Sequence, residues 1–79
     1  MTEQEIMPVL TQIFREIFDD DSLVISRNTT ADDIDDWDSL EHINLIAAVE
    51  TQFKIRFKMK EVSSMKNVGE MIDIIAQRA

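Results

Sequence analysis

The chain has 79 residues, no cysteine, and one each of histidine, glycine and proline. A chain this short forms a single domain over residues 1–79, and its composition excludes disulfides, thiolate metal sites and multi-histidine metal sites. The scarcity of glycine and proline argues against an all-β fold and against glycine-rich phosphate loops. A net charge of −8 disfavours nucleic acid and anionic membranes as partners and favours basic proteins.

Charge is spread unevenly along the chain. Residues 1–53 carry 13 acidic and two basic side chains, a net charge of −11, whereas residues 54–79 carry six basic and three acidic ones, a net charge of +3. Most charge runs are simply solvated surface, but this asymmetry allows a partner to distinguish one end from the other. No apolar run approaches the roughly 20 residues of a transmembrane helix. The acidic N-terminus does not resemble a signal peptide, so we expect a cytoplasmic protein.

The capping-box pattern Thr2-x-x-Glu5 predicts the start of the first helix. Apolar residues follow at helical spacing and predict about four turns: Ile6, Leu10, Ile13, Phe14, Ile17 and Phe18. Pro8 removes a backbone donor inside this stretch, which predicts either a bend or a helix that begins nearer Met7.

Residues 19–37 lack a helical period and predict a long, ordered connection. Its apolar anchors are expected to be Leu23, Val24, Ile25 and Ile34, and residues 30–34 are expected to form one helical turn.

The second helix is predicted from Ser39 to Phe53, with Asp38 as its N-cap and Glu41 three residues later. A short third helix is predicted over residues 59–63. The last helix follows the cap residue Asn67 and carries Val68, Met71, Ile72 and Ile75 on one face. The fold class is therefore all-α: a small four-helix bundle of three longer helices and one short one, with a long loop between the first two.

The second helix has two apolar faces. At about 100° per residue, one stripe is expected in the core, namely Leu45, Ile46, Val49 and Phe53. Leu40, Ile43 and Ala47 form a second stripe on the opposite side. One interpretation is that the long loop or the short third helix covers this second stripe; the other is that the stripe is a docking surface for a partner. The two are not exclusive, because Val24 or Ile25 could cover part of the stripe.

A motif at the start of this helix resembles the phosphopantetheine attachment motif of acyl carrier proteins: Asp36-Trp37-Asp38-Ser39-Leu40. Residues 45–53 resemble that family's Leu-x-x-x-Leu-Glu-x-x-Phe helix, and Phe57, Met65 and Val68 fit its later apolar positions. The resemblance covers essentially the whole chain. Trp37 makes the motif more like that of stand-alone carriers of specialised pathways. The basic stretch from Lys54 to Lys60 departs from the acidic pattern of fatty-acid-synthesis carriers.

The resemblance implies that Ser39 bears a covalent 4′-phosphopantetheine, transferred from coenzyme A by a separate phosphopantetheinyl transferase (holo-carrier synthase). The terminal thiol of that group then carries acyl intermediates as thioesters in fatty-acid, polyketide or related specialised biosynthesis. A serine in the first turn of a helix suits this attachment, because the helix dipole favours a phosphodiester there.

The surface presented to partners is expected to consist of Asp38, Leu40, Glu41, Ile43, Ala47 and Glu50. The implied partners are the transferase, acyl-transferring or ligating enzymes, and ketosynthases, with no nucleic acid and no membrane insertion, and the carrier is expected to be a monomer. An acyl-chain site is expected between the second and third helices, lined by Ile46, Val49, Phe53 and Met65.

Two other functions stay open at this point: an aminoacyl or peptidyl carrier protein, and an acidic helical adaptor that is never modified. An enzyme is not expected. A Ser39–His42 dyad would suggest a hydrolase, but no Gly-x-Ser-x-Gly elbow is present, so we expect His42 to pack against Trp37 or close the loop. The aspartates fit no EF-hand frame, so no metal site is expected.

Overall fold

The computed structural model describes residues 1–79 as helices joined by irregular segments. The helices are α1 (Glu3–Ile17), α2 (Ser39–Phe53), α3 (Met59–Ser64) and α4 (Val68–Arg78), and a single 3-10 turn spans Ala31–Asp33. The predicted fold class is confirmed: three longer helices, one short helix, and a long connection between the first two. None of these helices is both long and apolar enough to cross a membrane.

Helix α1 begins at Glu3, so a start nearer Met7 is wrong. The capping box is fully formed, because the Thr2 side chain accepts from the Glu5 amide and the Thr2 amide donates to the Glu5 carboxylate at 2.8 Å. These bonds satisfy amide groups that a helix start leaves free, and the helix then continues through Pro8. Pro8 is exposed, so the carbonyl that lacks its usual partner can be hydrated.

A single cluster of 16 buried side chains forms the core, and α1 packs against both α2 and α4 around it. The predicted core stripe of α2 is buried throughout, as is the predicted face of α4. Each fully buried aliphatic or aromatic side chain contributes about 1.5–3 kcal/mol, so this cluster is the main source of stability.

The connection between α1 and α2 is pinned by Ile25 and Ile34, which are both buried. Leu23 is half-buried against the core, whereas Val24 is 77% exposed. The prediction that Val24 anchors the loop is therefore wrong. Consecutive residues of an extended segment point to opposite sides, so burying Ile25 turns Val24 outward.

Polar contacts join the same connection to α4. The Gly69 amide donates to the Arg27 carbonyl at 2.9 Å, and a Cβ on Gly69 would lie 3.0 Å from that oxygen. A Cβ at this distance would be tighter than nearly all real Cβ contacts, so the close approach of the two backbones favours glycine. The Arg27 guanidinium also pairs with Glu3 at 2.7 Å and Asp73 at 3.0 Å, which links α1, the connection and α4.

Helix α3 contributes no buried residue and is fastened by an ion pair. Arg78 binds the Glu61 carboxylate through both terminal nitrogens, at 2.6 and 2.5 Å, and also donates to the Arg56 carbonyl at 2.8 Å. These Arg78 bonds, together with the Lys58 amide, lower the pKa of Glu61 from 4.5 to about 2.

Glu61 therefore makes stability depend on pH at the acid end of the range. Because its pKa is lower when folded, its contribution is complete above about pH 4.5 and is lost as the pH falls toward about 2. We expect Glu61→Gln to lose less unfolding free energy than the wild type when urea unfolding is compared at about pH 6 and about pH 3. Arg78→Gln, which breaks the same pair, should show the same shallower dependence. Equal losses in wild type and both variants would contradict this assignment.

Candidate functional site

Ser39 is the first residue of α2, and its side chain is exposed. The helix begins there because the Asp38 carboxylate accepts the Glu41 amide at 2.8 Å and the Asp38 carbonyl accepts the His42 amide at 2.9 Å. Asp38 is thus the N-cap, as predicted. Its position leaves the Ser39 hydroxyl beside the positive end of the helix dipole.

Glu41 does not complete a capping box at this helix start. Its carboxylate accepts the Asn44 side-chain amide at 2.9 Å, while the Asp38 amide donates instead to the Asp36 carbonyl at 3.0 Å. Because Asp38 caps the helix alone, Glu41 is left on the outer surface of α2.

The Trp37 side chain fastens the preceding loop to the core. Its ring lies 5.4 Å from that of Phe14, 6.0 Å from that of Phe18 and 5.9 Å from that of His42, measured between centroids. Trp37 Nε1–H donates to His42 Nδ1 at 3.1 Å, and His42 Nε2 lies 3.0 Å from the Val62 carbonyl oxygen. The expectation that His42 packs against Trp37 is confirmed. Both of its ring nitrogens are engaged by groups other than Ser39.

An open cleft of about 500 Å³ lies beside Ser39, between α2, α3 and the start of α4. We call it the Ser39 cleft. It is lined by Ala31, Trp37, Asp38, Ser39, His42, Ile43, Val62, Ser63, Met65, Lys66, Asn67 and Met71.

The acyl-chain site suggested by the sequence matches this cleft only at Met65. Ile46, Val49 and Phe53 are packed in the core, with 6, 0 and 8% of their surface exposed. They belong to the stripe of α2 that the core buries, whereas the cleft opens beside the neighbouring side of that helix. Val62 was not among the residues predicted from sequence, although its spacing of three residues from Met65 places both on one side of the α3 region.

The second apolar stripe of α2 is not covered. Leu40 is 68% exposed, Ile43 is 62% exposed, and Ala47 is exposed as well. The alternative in which the long loop or the short helix covers the stripe is therefore wrong. Glu50, predicted at its far end, is half-buried, and its carboxylate accepts the Phe57 amide at 2.8 Å.

No protein-family model matches the chain. An acyl carrier protein of Acidothermus cellulolyticus is 29% identical over 76 residues, which cover 96% of this chain and 90% of that protein. The solution NMR structure of a holo acyl carrier protein from Geobacter metallireducens is 49% identical and superposes with a TM-score of 0.85. That match covers 91% of this chain and 83% of the other.

The chain belongs to the acyl carrier protein family. A putative acyl carrier protein of Mycobacterium tuberculosis, only 22% identical, shares the fold with a TM-score of 0.81 over 90% of this chain and 95% of its own. The recognition of the carrier family from sequence is confirmed, and the Geobacter metallireducens relative is a holo protein.

The cap of α2 gives a stability prediction for the carrier. We expect Asp38→Ala to lower the free energy of unfolding by about 1 kcal/mol, because the Glu41 amide loses its acceptor. Urea unfolding measures this change. Asp35→Ala is the matched control, since Asp35 is exposed and precedes the helix, and its change should stay within about 0.5 kcal/mol. Equal losses in the two variants would show that the cap does not stabilise α2.

Proposed function

We propose that this carrier bears 4′-phosphopantetheine on Ser39 and presents acyl intermediates to partner enzymes. The observation that supports this best is the exposed Ser39 hydroxyl, within Asp38-Ser39-Leu40, at the first position of α2 and beside an open cleft. Residues 1–79 act as one carrier domain and not as a catalyst. Its cysteine-free composition is compatible with a reducing cytoplasm.

The residues around Ser39 fit such a group. The first amides of α2 have no partner within the helix, so a phosphodiester on Ser39 would be favoured by free N–H groups and by the helix dipole. The adjoining Ser39 cleft offers apolar walls from Ile43, Val62 and Met65, and it is open to solvent at the serine. When bound, the group supplies a flexible thiol that carries acyl chains as thioesters.

Attachment requires a separate transferase, because no base of this chain is aimed at Ser39. The Ser39 oxygen forms a bond to the phosphorus that bears the pantetheine, and the pyrophosphate bond of coenzyme A breaks. Adenosine 3′,5′-bisphosphate leaves, and the hydroxyl proton passes to a base on the transferase. His42 is not that base, since Trp37 and Val62 engage both of its nitrogens.

The partner face consists of Leu40, Ile43 and Ala47, with Asp38, Glu41 and Glu50 around them. Its exposed apolar centre provides contact area for docking. Its carboxylates would attract basic surfaces on the proposed partners, which are a transferase, acyl-transferring or ligating enzymes, and ketosynthases. Among these carboxylates, Glu50 serves mainly the fold, because it holds the Phe57 amide. The carrier is a monomer that binds each partner briefly, within fatty-acid, polyketide or related specialised biosynthesis.

Attachment at Ser39 is tested by intact mass after incubation with coenzyme A and a broad-specificity phosphopantetheinyl transferase. We expect the wild type to gain one phosphopantetheine and Ser39→Ala to gain none. Ser63→Ala is the matched control, because Ser63 is also exposed and lines the same cleft, and it should be modified like the wild type.

If the wild type stays unmodified while a known carrier is modified in parallel, the result would contradict the carrier function and favour an acidic adaptor. Such an adaptor would keep its activity in Ser39→Ala, whereas an acyl, aminoacyl or peptidyl carrier would lose it.

The partner face is tested by placing a charge at its apolar centre. We expect Ile43→Asp to slow modification by the transferase at least about tenfold, because an apolar docking contact is replaced by a solvated carboxylate. Val24→Asp is the matched control, since Val24 is just as exposed but lies in the connection between α1 and α2. Circular dichroism verifies that both variants are folded. Equal rates in the two variants would contradict docking at Ile43.

A further inference from the structure

Helix α3 depends on polar contacts for its position. It has six residues and none of them is buried, whereas α1 packs directly against α2 and α4. A helix this short is not stable by itself. Val62 and Met65 only partly pack against the core. Side chains from other helices hold α3 at two points: Arg78 binds Glu61, and His42 binds the Val62 carbonyl.

The contact with His42 has a defined direction. Trp37 Nε1–H can only donate, so His42 Nδ1 must accept, and the ring proton lies on Nε2. His42 Nε2–H therefore donates to the Val62 oxygen, at 3.0 Å. That oxygen lies in the last turn of α3, where carbonyls lack donors within the helix. His42 thus caps the end of α3 from α2.

The surroundings of His42 hold its ring in place. The Trp37 ring lies edge to edge with the imidazole, at an angle of 28° between the planes, and packs against Phe14, which is completely buried. The packed indole ring and its hydrogen bond to Nδ1 together fix the orientation of the imidazole. Nε2–H is consequently aimed at α3 without any further ordering of the side chain.

We propose that His42 is a positioning residue that holds α3 against α2, and that it thereby sets the width of the Ser39 cleft and the length of acyl chain that the cleft accepts. His42 and Ile43 line the cleft from α2, and Val62 and Met65 line it from the opposite side. Separating these walls breaks the bond from His42 to Val62. A short acyl group enters the cleft with this hydrogen bond intact, whereas a long one enters only when the bond is broken. The dependence on chain length rests on the proposed function, but the effect on α3 does not.

The first test measures hydrogen exchange in the unmodified chain. We expect the amides of residues 62–64 to exchange about five- to tenfold faster in His42→Leu, which lacks the donor, than in the wild type. His42→Gln is the matched control, because its terminal amide can still donate to the Val62 oxygen, and it should stay within about twofold of the wild type. Amides of α1 and α4 should be unchanged in both variants, which verifies that the fold is intact.

The second test measures the effect of chain length. The wild type and both variants are loaded with acetyl- or octanoyl-phosphopantetheine from the corresponding coenzyme A thioester, and the Tm is recorded. For each protein we take the Tm of the octanoyl form minus the Tm of the acetyl form. This difference should be about 4–8 °C larger in His42→Leu than in the wild type, because opening of the cleft no longer breaks a hydrogen bond. His42→Gln should keep the wild-type difference. A purely structural role would shift both Tm values equally.

The results separate the proposal from the function on which it builds. Unchanged exchange at residues 62–64 in His42→Leu would overturn the positioning role. Faster exchange with an unchanged difference between the octanoyl and acetyl Tm values would overturn the control of chain length. Failure of Ser39 to accept the arm would contradict the proposed function, while the exchange measurement would still decide whether His42 holds α3.

Discussion

Burial of apolar side chains between α1, α2 and α4 is the interaction on which the whole structure depends. A chain of 79 residues provides one cluster of 16 buried residues, and these three helices supply most of it. A small domain has little further apolar surface with which to fix its other segments. The connection before α2 and helix α3 are therefore held largely by a few specific contacts: Arg27 and Gly69 for the connection, and Arg78 and His42 for α3.

Ser39 and its cleft therefore lie between the rigidly packed core helices and α3, which only a few contacts hold. Ser39 lies on α2, whose other face is buried in the core, so the proposed attachment point is held rigidly. The opposite wall of the cleft contains Val62 and Met65, which are only half-buried. The proposed function needs a fixed residue for the arm and a cleft wall that can move for different acyl groups. The core is large enough to fix the serine but not this wall.

The surface of α2 completes this arrangement. A helix in a small bundle normally turns polar residues outward, yet Leu40 and Ile43 are both more than half exposed. Core packing does not account for them, and the first 53 residues carry a net charge of −11. An apolar centre surrounded by carboxylates combines contact area for brief docking with long-range attraction for basic partners.

Much of the fold was readable from sequence because its signals are local. The cap residues Thr2, Asp38 and Asn67 mark helix starts, and their hydrogen bonds join atoms three residues apart. Helical spacing identified the buried stripes of α2 and α4 for the same reason. The proposed attachment residue was also found locally, since Asp38-Ser39-Leu40 is a continuous motif at one of these starts.

The sequence by itself thus determined the helices, the buried faces, the acidic surface and the membership of the carrier family. Only the tertiary structure decided that Val24 points outward, that Ile46, Val49 and Phe53 are buried away from the cleft, and that the cleft runs past Val62. It also decided that His42 reaches a carbonyl 20 residues away and that Arg78 reaches Glu61 across 17. These pairings depend on how the helices pack in three dimensions, and no local pattern of residues encodes the distance between two helices.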